Sequence, residues 1–235
     1  MTITREPNDI EISFEQDGFV VVDHIFNQSE VKRIAEQCES KVLTSVGTRN
    51  LLKFDWVKAL ASRLIDHQHL SALMPKNAVA VQCNYFSKDI ENNWSVGLHR
   101  DLSIPVESKV NSRKWSGWSI KEGALYAQPP KHVLSQMVAV RLHLEDNTRE
   151  NGALEIVPGS HKGAASNPKR SSIENSVQQD KRQLCMVKQG GVLAMRPLAL
   201  HSSTKLKLGK RRVLHFVFGP EHLPDNAKWP AYKNS

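Results

Sequence analysis

Two hydrophobic periods divide the chain. Up to about residue 77 the apolar positions recur at helical spacing. Val31, Ile34, Ala35, Cys38 and Val42 form one stripe behind Ser29, which is placed to cap a helix; Trp56, Val57, Leu60, Leu64 and Ile65 form another in a helix starting near Asp55. A further turn is predicted from Leu70 to Met74, ended by Pro75. From Ala78 the spacing becomes that of strands, with Val79, Val81 and Cys83 set against Ala80, Gln82 and Asn84. Further strands are expected over Ser135 to Leu144, Leu154 to Val157, Leu184 to Val187, Val192 to Met195, Leu200 to Ser203 and Arg212 to Phe218. Many short strands joined by Gly and Pro turns predict a mainly β fold, a double-stranded β-helix or jelly roll, with the N-terminal helices packed as cover on one sheet. The expectation is one domain over residues 1–235, with helical cover over about 1–77 and a jelly-roll core over about 78–220.

Two long segments break the strand rhythm. In the first, Pro105 to Pro130, Trp115 and Trp118 flank Gly117, a composition suited to a lid whose rings contact substrate; the plainer alternative is that the rings fill the base of a long loop. The second, Gly163 to Arg182, is polar, charged and poor in apolar residues, which predicts a mobile stretch with no assigned chemistry.

Composition narrows the class. Apolar residues make up 40% of the chain, and no uninterrupted run approaches the length of a membrane span. Met1 to Glu6 lacks an apolar signal core, and the widely spaced Cys38, Cys83 and Cys185 fit a reducing compartment better than a disulfide framework, so a cytoplasmic location is expected. The excess of 32 Lys and Arg over 24 Asp and Glu, a net +8, biases the protein toward anionic partners. These basic residues are dispersed and do not interleave with aromatics. That pattern argues against nucleic acid and leaves a solvated basic surface, or an anionic small-molecule substrate, as the readings. A 26.5 kDa chain suits a monomer or a homodimer.

The chemistry is concentrated in four places. His99 and Asp101 are two apart, so on an extended segment both side chains project from one face. His201 follows the apolar run Val192 to Met195, and an arginine pair, Arg211 and Arg212, lies just beyond. Two histidines and one carboxylate are the donor set that holds non-heme Fe(II) with coordination positions left open. An arginine nearby supplies the fork that binds a carboxylate through two parallel hydrogen bonds, such as that of a 2-oxo acid. Strand alternation does not separate Arg211 from Arg212, because the apolar residues of the strand stand on both faces.

Longer motifs extend the pattern. Asp17-Gly18-Phe19-Val20-Val21-Val22, Leu98-His99-Arg100-Asp101, Val140-Arg141-Leu142-His143-Leu144-Glu145-Asp146, Glu150-Asn151-Gly152-Ala153-Leu154, Val157-Pro158-Gly159-Ser160-His161-Lys162 and Gly190-Gly191-Val192-Leu193-Ala194-Met195-Arg196-Pro197 run in order through most of the chain. Together they resemble the phytanoyl-CoA dioxygenase family of Fe(II)- and 2-oxoglutarate-dependent oxygenases. The resemblance implies the jelly-roll fold, with His99, Asp101 and His201 as iron ligands. It also implies that the arginine eleven places after the distal histidine, Arg212, binds the far carboxylate of the 2-oxoglutarate cosubstrate. Ser203 matches a family hydroxyl that assists that carboxylate, and Gln82 and Asn84 stand where related enzymes place polar contacts to the cosubstrate. The turn Lys205 to Lys210 departs from the small, Asn- and Ser-rich turn of many relatives while keeping its length.

The activity so implied is O2-dependent oxidation, foremost hydroxylation, of a small organic molecule with release of succinate and CO2. The presence of Asp101 favours hydroxylation over halogenation. The competing reading is a cupin-like metal-binding protein or a metal-dependent hydrolase; a demethylase acting on nucleic acid or protein ranks third.

Overall fold

Helix α1 (Pro7–Asp17) ends where Gly18, at φ 82°, turns the chain directly into strand β1 (Phe19–Val22). A side chain at this glycine would strike the ring of His161, 2.3 Å from an ideal Cβ, so the Pro-Gly-Ser-His turn closes over the start of β1. The computed structural model describes residues 7–41, 47–162 and 181–231. The predicted mobile segment, residues 163–182, lies outside the described residues except for its last two, and Val42 lies outside them as well.

Helix α2 (Gln28–Lys41) is capped by Asn27 rather than by Ser29. Asn27 Oδ1 accepts from the Glu30 N–H (3.0 Å) while Glu30 Oε2 accepts from the Asn27 N–H (2.8 Å), a reciprocal box that the spacing Asn-x-x-Glu allows. Ser29 sits inside the first turn and donates its hydroxyl to Asn27 Oδ1. Helix α3 (Asp55–Ile65) buries Val57, Leu60, Ala61 and Leu64, and a single 3-10 turn (Ser71–Leu73) follows.

The remaining strands are β2 (Gly47–Thr48), β3 (Val79–Lys88), β4 (Val96–His99), β5 (Ile104–Pro105), β6 (Ser116–Lys121), β7 (Ala124–Gln128), β8 (Val138–His143), β9 (Leu154–Ile156), β10 (Gln183–Cys185), β11 (Val192–Met195), β12 (His201–Ser203) and β13 (Arg211–Gly219). They form a six-stranded main sheet in the order β1-β11-β8-β13-β3-β2 and a four-stranded minor sheet, β10-β9-β12-β4. All pairings in both are antiparallel. The segment expected to be one strand over Ser135 to Leu144 begins instead as a short helix, α4 (Lys131–Gln136), before β8.

Period-2 alternation assigns the two faces of the main sheet to different neighbours. Val140, Leu142, Leu214, Phe216 and Phe218 share one apolar core with Phe14, Val31, Val57 and Leu64 of the three helices. On the opposite face Ala139, Leu193, Met195 and Val217 share a second core with Leu154, Ile156 and Cys185 of the minor sheet. Two antiparallel sheets thus enclose a core, with helices outside the larger one, consistent with the expected jelly roll. The N-terminal third is more than cover, since it contributes β1 and β2 as the two edge strands of the main sheet.

The first long segment is not an irregular loop. It forms a third antiparallel sheet, β5-β7-β6, whose hairpin turns at Glu122 and Gly123, both at positive φ (48° and 79°). Trp115 is buried there, stacked near Trp118 with ring centroids 6.4 Å apart, and donates its indole N–H to Asp225 (3.0 Å).

Candidate metal centre

His99 and His201 face each other as direct partners across β4 and β12, their ring centroids 4.2 Å apart. Asp101, two residues past His99, completes the group: its two carboxylate oxygens lie 3.7 Å from His99 Nε2 and 3.7 Å from His201 Nε2. One ligand atom from each of the three residues falls within 4.8 Å of the others, an arrangement that could hold a metal ion. Each imidazole is fixed by the same local device. Nδ1 of His99 donates to the carbonyl of Gly97 (2.9 Å), and Nδ1 of His201 donates to that of Ala199 (2.9 Å). A carbonyl only accepts, so Nδ1 carries a proton in both rings, and in the neutral form of each ring Nε2 is left free to coordinate. Burial holds His201 neutral, its pKa pushed down to about 4. Burial alone would raise the Asp101 carboxyl, but its interactions with His201, His99 and His215 outweigh that and hold it well below the usual range.

The triad opens into a cavity of about 470 Å³ between the main sheet, the minor sheet and the inserted sheet. Gln82 and Asn84 of β3, Ser203 of β12, and Arg211 and His215 of β13 line it, as does Arg141 of β8. Arg141 and His215 are register partners, and the guanidinium donates to His215 Nδ1 (3.1 Å). That bond makes His215 Nδ1 an acceptor and leaves its proton on Nε2, while burial and the charge of Arg141 push its pKa down to about 3. At the end of the sheet Lys88 pairs in register with Arg211 and donates to the Ser203 hydroxyl (3.2 Å) and the Thr204 carbonyl (3.2 Å). Arg211 donates to the Gly152 carbonyl, in the Asn-Gly turn where a Cβ at Gly152 would approach Thr204 O to 2.7 Å.

The electrostatics of this wall are one-sided. Lys88, Arg141 and Arg211 are all buried, and none forms an ion pair with a carboxylate among the described residues. Burial and the repulsion of its neighbours push Lys88 down to about 7, and burial with Arg141 depresses Arg211. Several polar atoms have no hydrogen-bond partner: Nε of Arg141, Nε of Arg211 and Oδ1 of Asn84 are all enclosed and unsatisfied. Buried donors and charges are costly when unpaired, so their concentration here marks a surface shaped for a polar, anionic ligand.

A sequence profile of the family described as Phytanoyl-CoA dioxygenase (PhyH) matches residues 14–213. The chain belongs to the phytanoyl-CoA dioxygenase family. No curated protein is significantly similar to it in sequence, but solved structures are similar in fold. The crystal structure of HygX from Streptomyces hygroscopicus with nickel and 2-oxoglutarate bound is 19% identical, with a TM-score of 0.60 over 95% of this chain and 90% of that one. SnoK, a non-heme alpha-ketoglutarate-dependent carbocyclase from nogalamycin biosynthesis, is 13% identical with a TM-score of 0.70 over 98% and 88%. SnoN, the epimerase of the same biosynthesis, is 16% identical with a TM-score of 0.67 over 96% and 84%.

Within this family member, two expectations drawn from the sequence do not match the geometry. Arg212 points away from the cavity: it donates from its backbone N–H (2.7 Å) and Nε (2.6 Å) to Glu145 and pairs also with Glu39. Even positions of β13 face the helices and odd positions face the cavity, so Arg211 is the arginine of the pair that reaches it. Trp115 and Trp118 are not among the cavity-lining residues either, because folding the segment into a sheet turns their rings into its packing base; Lys121, Tyr126 and Gln128 line the cavity from that sheet instead. Arg141 also lines the cavity, and a lone charge in an apolar central strand is the sequence signal that finds it. For Arg211 the signal was His215, a polar residue four places on and therefore on the same face.

Proposed function

We propose that this protein is an Fe(II)- and 2-oxoglutarate-dependent dioxygenase that hydroxylates a small organic molecule. The observation that carries the reading is the conjunction of two features in one cavity. Three donors, His99 Nε2, Asp101 and His201 Nε2, converge there, and buried cations with unsatisfied donors stand on the adjoining wall. The donor set suits Fe(II), and the unpartnered Nε atoms suit a dicarboxylic cosubstrate, so the residues fit both groups. A hydrolase or simple metal binder has no use for the second feature.

In this reading Arg211 binds the distal carboxylate, assisted by Ser203 and by the field of Lys88. Arg141 and Asn84, with Gln82, supply further polar contacts along the cosubstrate. Bound together, Fe(II), 2-oxoglutarate and O2 supply the oxidising chemistry, in which 2-oxoglutarate leaves as succinate and CO2 and the substrate C–H becomes C–OH. The chain's own share is positional. The Gly97 and Ala199 carbonyls hold the imidazoles in the tautomer that leaves Nε2 free, and Asp101 supplies a fixed negative charge. Neutral His215 keeps Arg141 aimed without adding a charge of its own. The comparison structures support the reading by what they contain, since HygX has been crystallised with nickel, 2-oxoglutarate and hygromycin B.

Succinate release from 2-oxoglutarate, measured with and without Fe(II), tests the proposal. The wild type is expected to release succinate in an Fe(II)-dependent manner and Asp101→Ala to release none while retaining its fold by circular dichroism. Undiminished release from the variant would overturn the assignment.

A further inference from the structure

The metal donors and the Arg211 end of the cavity leave the inserted sheet without a role. Among the charged residues that line the cavity, Arg49, Arg100, Lys121, Arg141 and Arg211 are basic and Asp101 alone is acidic. Asp101 is committed to the two histidines.

Lys121 and Tyr126 enter the cavity from the β6–β7 hairpin. The Lys121 ammonium lies over the Tyr126 ring, 4.9 Å from its centroid, and forms no ion pair among the described residues. Tyr126 is only 2% exposed, yet its hydroxyl is enclosed without a hydrogen-bond partner. Burial pushes that phenol up to about 12, so it remains a donor at any ordinary pH. Gln128, two residues on and on the same face of β7, adds an amide to the same wall.

The hairpin is anchored where these groups need it. Both oxygens of Glu122, at the turn, are occupied by Arg49: one by its backbone N–H (2.8 Å), the other by its guanidinium (2.8 Å). Asn50 donates to the Glu122 carbonyl (3.4 Å). Arg49 directly follows β2, which pairs with β3 of the main sheet, so Lys121 is held next to a clamped turn. An unpaired ammonium and an unsatisfied hydroxyl held over a cavity that already lacks free carboxylates complement an anionic group.

We propose that the substrate carries an anionic oxygen group, a carboxylate or a phosphate, and that the Lys121 ammonium and the Tyr126 hydroxyl receive it under the β6–β7 hairpin. The identity of the site as a substrate site rests on the oxygenase reading; the anion site itself does not. In this proposal 2-oxoglutarate occupies Arg211 on the main sheet and the substrate anion occupies the donors of the inserted sheet.

Calorimetric titration of the full chain, loaded anaerobically with Fe(II) and 2-oxoglutarate, tests this with four probes: hexanoate, hexyl phosphate, hexanol and hexylammonium. One or both of the anions are expected to bind, and the relative affinities of hexanoate and hexyl phosphate distinguish the carboxylate from the phosphate. Hexanol and hexylammonium should bind at least about tenfold more weakly. Lys121→Met should weaken the preferred anion by about tenfold or more, and Tyr126→Phe severalfold. Both variants should retain the visible iron–2-oxoglutarate absorption, which also reports that they are folded. Equal binding of hexylammonium, unchanged anion affinity in both variants, or no binding of either anion would overturn the proposal. If the absorption band is absent in the wild type, the oxygenase reading fails on that observation, and the same titration without iron still decides the anion site.

Discussion

The two faces of the main sheet are made by the same strands and carry opposite kinds of side chain. On β13, Leu214, Phe216 and Phe218 pack under the helices, while Arg211, His215 and Val217 look into the cavity. On β8, Val140 and Leu142 face the helices and Arg141 faces the cavity. The helix side gains from burying apolar surface, and the charge it does carry on β13, Arg212, is paired with Glu145 and Glu39. The cavity side holds cations that pair directly with no carboxylate among the described residues, so it costs stability in the free protein and becomes favourable when an anion arrives. Stability and function are thereby separated by one residue of strand alternation, and substitutions on the two faces should fail in opposite ways.

The largest effect is expected on the helix side. Phe216→Ala should destabilise the fold by about 3–5 kcal/mol in urea denaturation, while the fraction that remains folded binds 2-oxoglutarate normally. Arg211→Met should do the reverse, weakening 2-oxoglutarate by roughly 30- to 150-fold, or about 2–3 kcal/mol, with no loss of thermal stability. Its neighbour sharpens the contrast. Arg212→Met breaks the pairs with Glu145 and Glu39 and should cost about 1–2 kcal/mol of stability, yet leave 2-oxoglutarate affinity where it was.

Lys88 adds a pH dependence to the cavity side. Its pKa, about 7, lies below the value it takes in an unfolded chain. Between those two values the unfolded chain holds more protons, so from about pH 7 to about pH 10.5 this residue makes the free protein more stable as pH rises. A bound anion favours charged Lys88, so 2-oxoglutarate affinity should fall severalfold over the same window; calorimetry at a series of pH values measures the slope, which should flatten in Lys88→Met. The smallest change is expected from Tyr126→Phe. Removing an unsatisfied buried hydroxyl should raise stability by about 1 kcal/mol in thermal denaturation, the opposite of what loss of a structural hydrogen bond would give.

The parts legible in the sequence were those fixed by local pattern. Strand β11 falls at the predicted residues because a run of four buried apolar positions admits little else, and helices α2 and α3 follow their apolar stripes. The His-x-Asp spacing and the distal histidine predicted a convergent group, and the structure brings the three together. What escaped depended on tertiary context. Arg211 and Arg212 are adjacent, and their faces are told apart by partners distant in sequence: Glu39 and Glu145 for one, the cavity for the other. The inserted sheet looks like a loop in the sequence because β6 is polar and largely exposed, with little apolar alternation to reveal it. Its clearest local mark was the Glu122-Gly123 turn. The Asn27 cap lay within reach of the sequence, since Glu30 stands three residues on, but Ser29 offered an equally ordinary capping residue nearer the apolar stripe.

The central claim is that one cavity holds a ferrous ion on His99, Asp101 and His201 and a 2-oxo dicarboxylate on the cavity face of the main sheet. Anaerobic addition of Fe(II) and then 2-oxoglutarate, followed by visible absorption, measures this directly. A weak charge-transfer band that requires both additions, is absent from Asp101→Ala, needs much more 2-oxoglutarate in Arg211→Met and is unchanged in Arg212→Met is the predicted result. No band in the wild type, or a band lost with Arg212 but kept without Arg211, would contradict it.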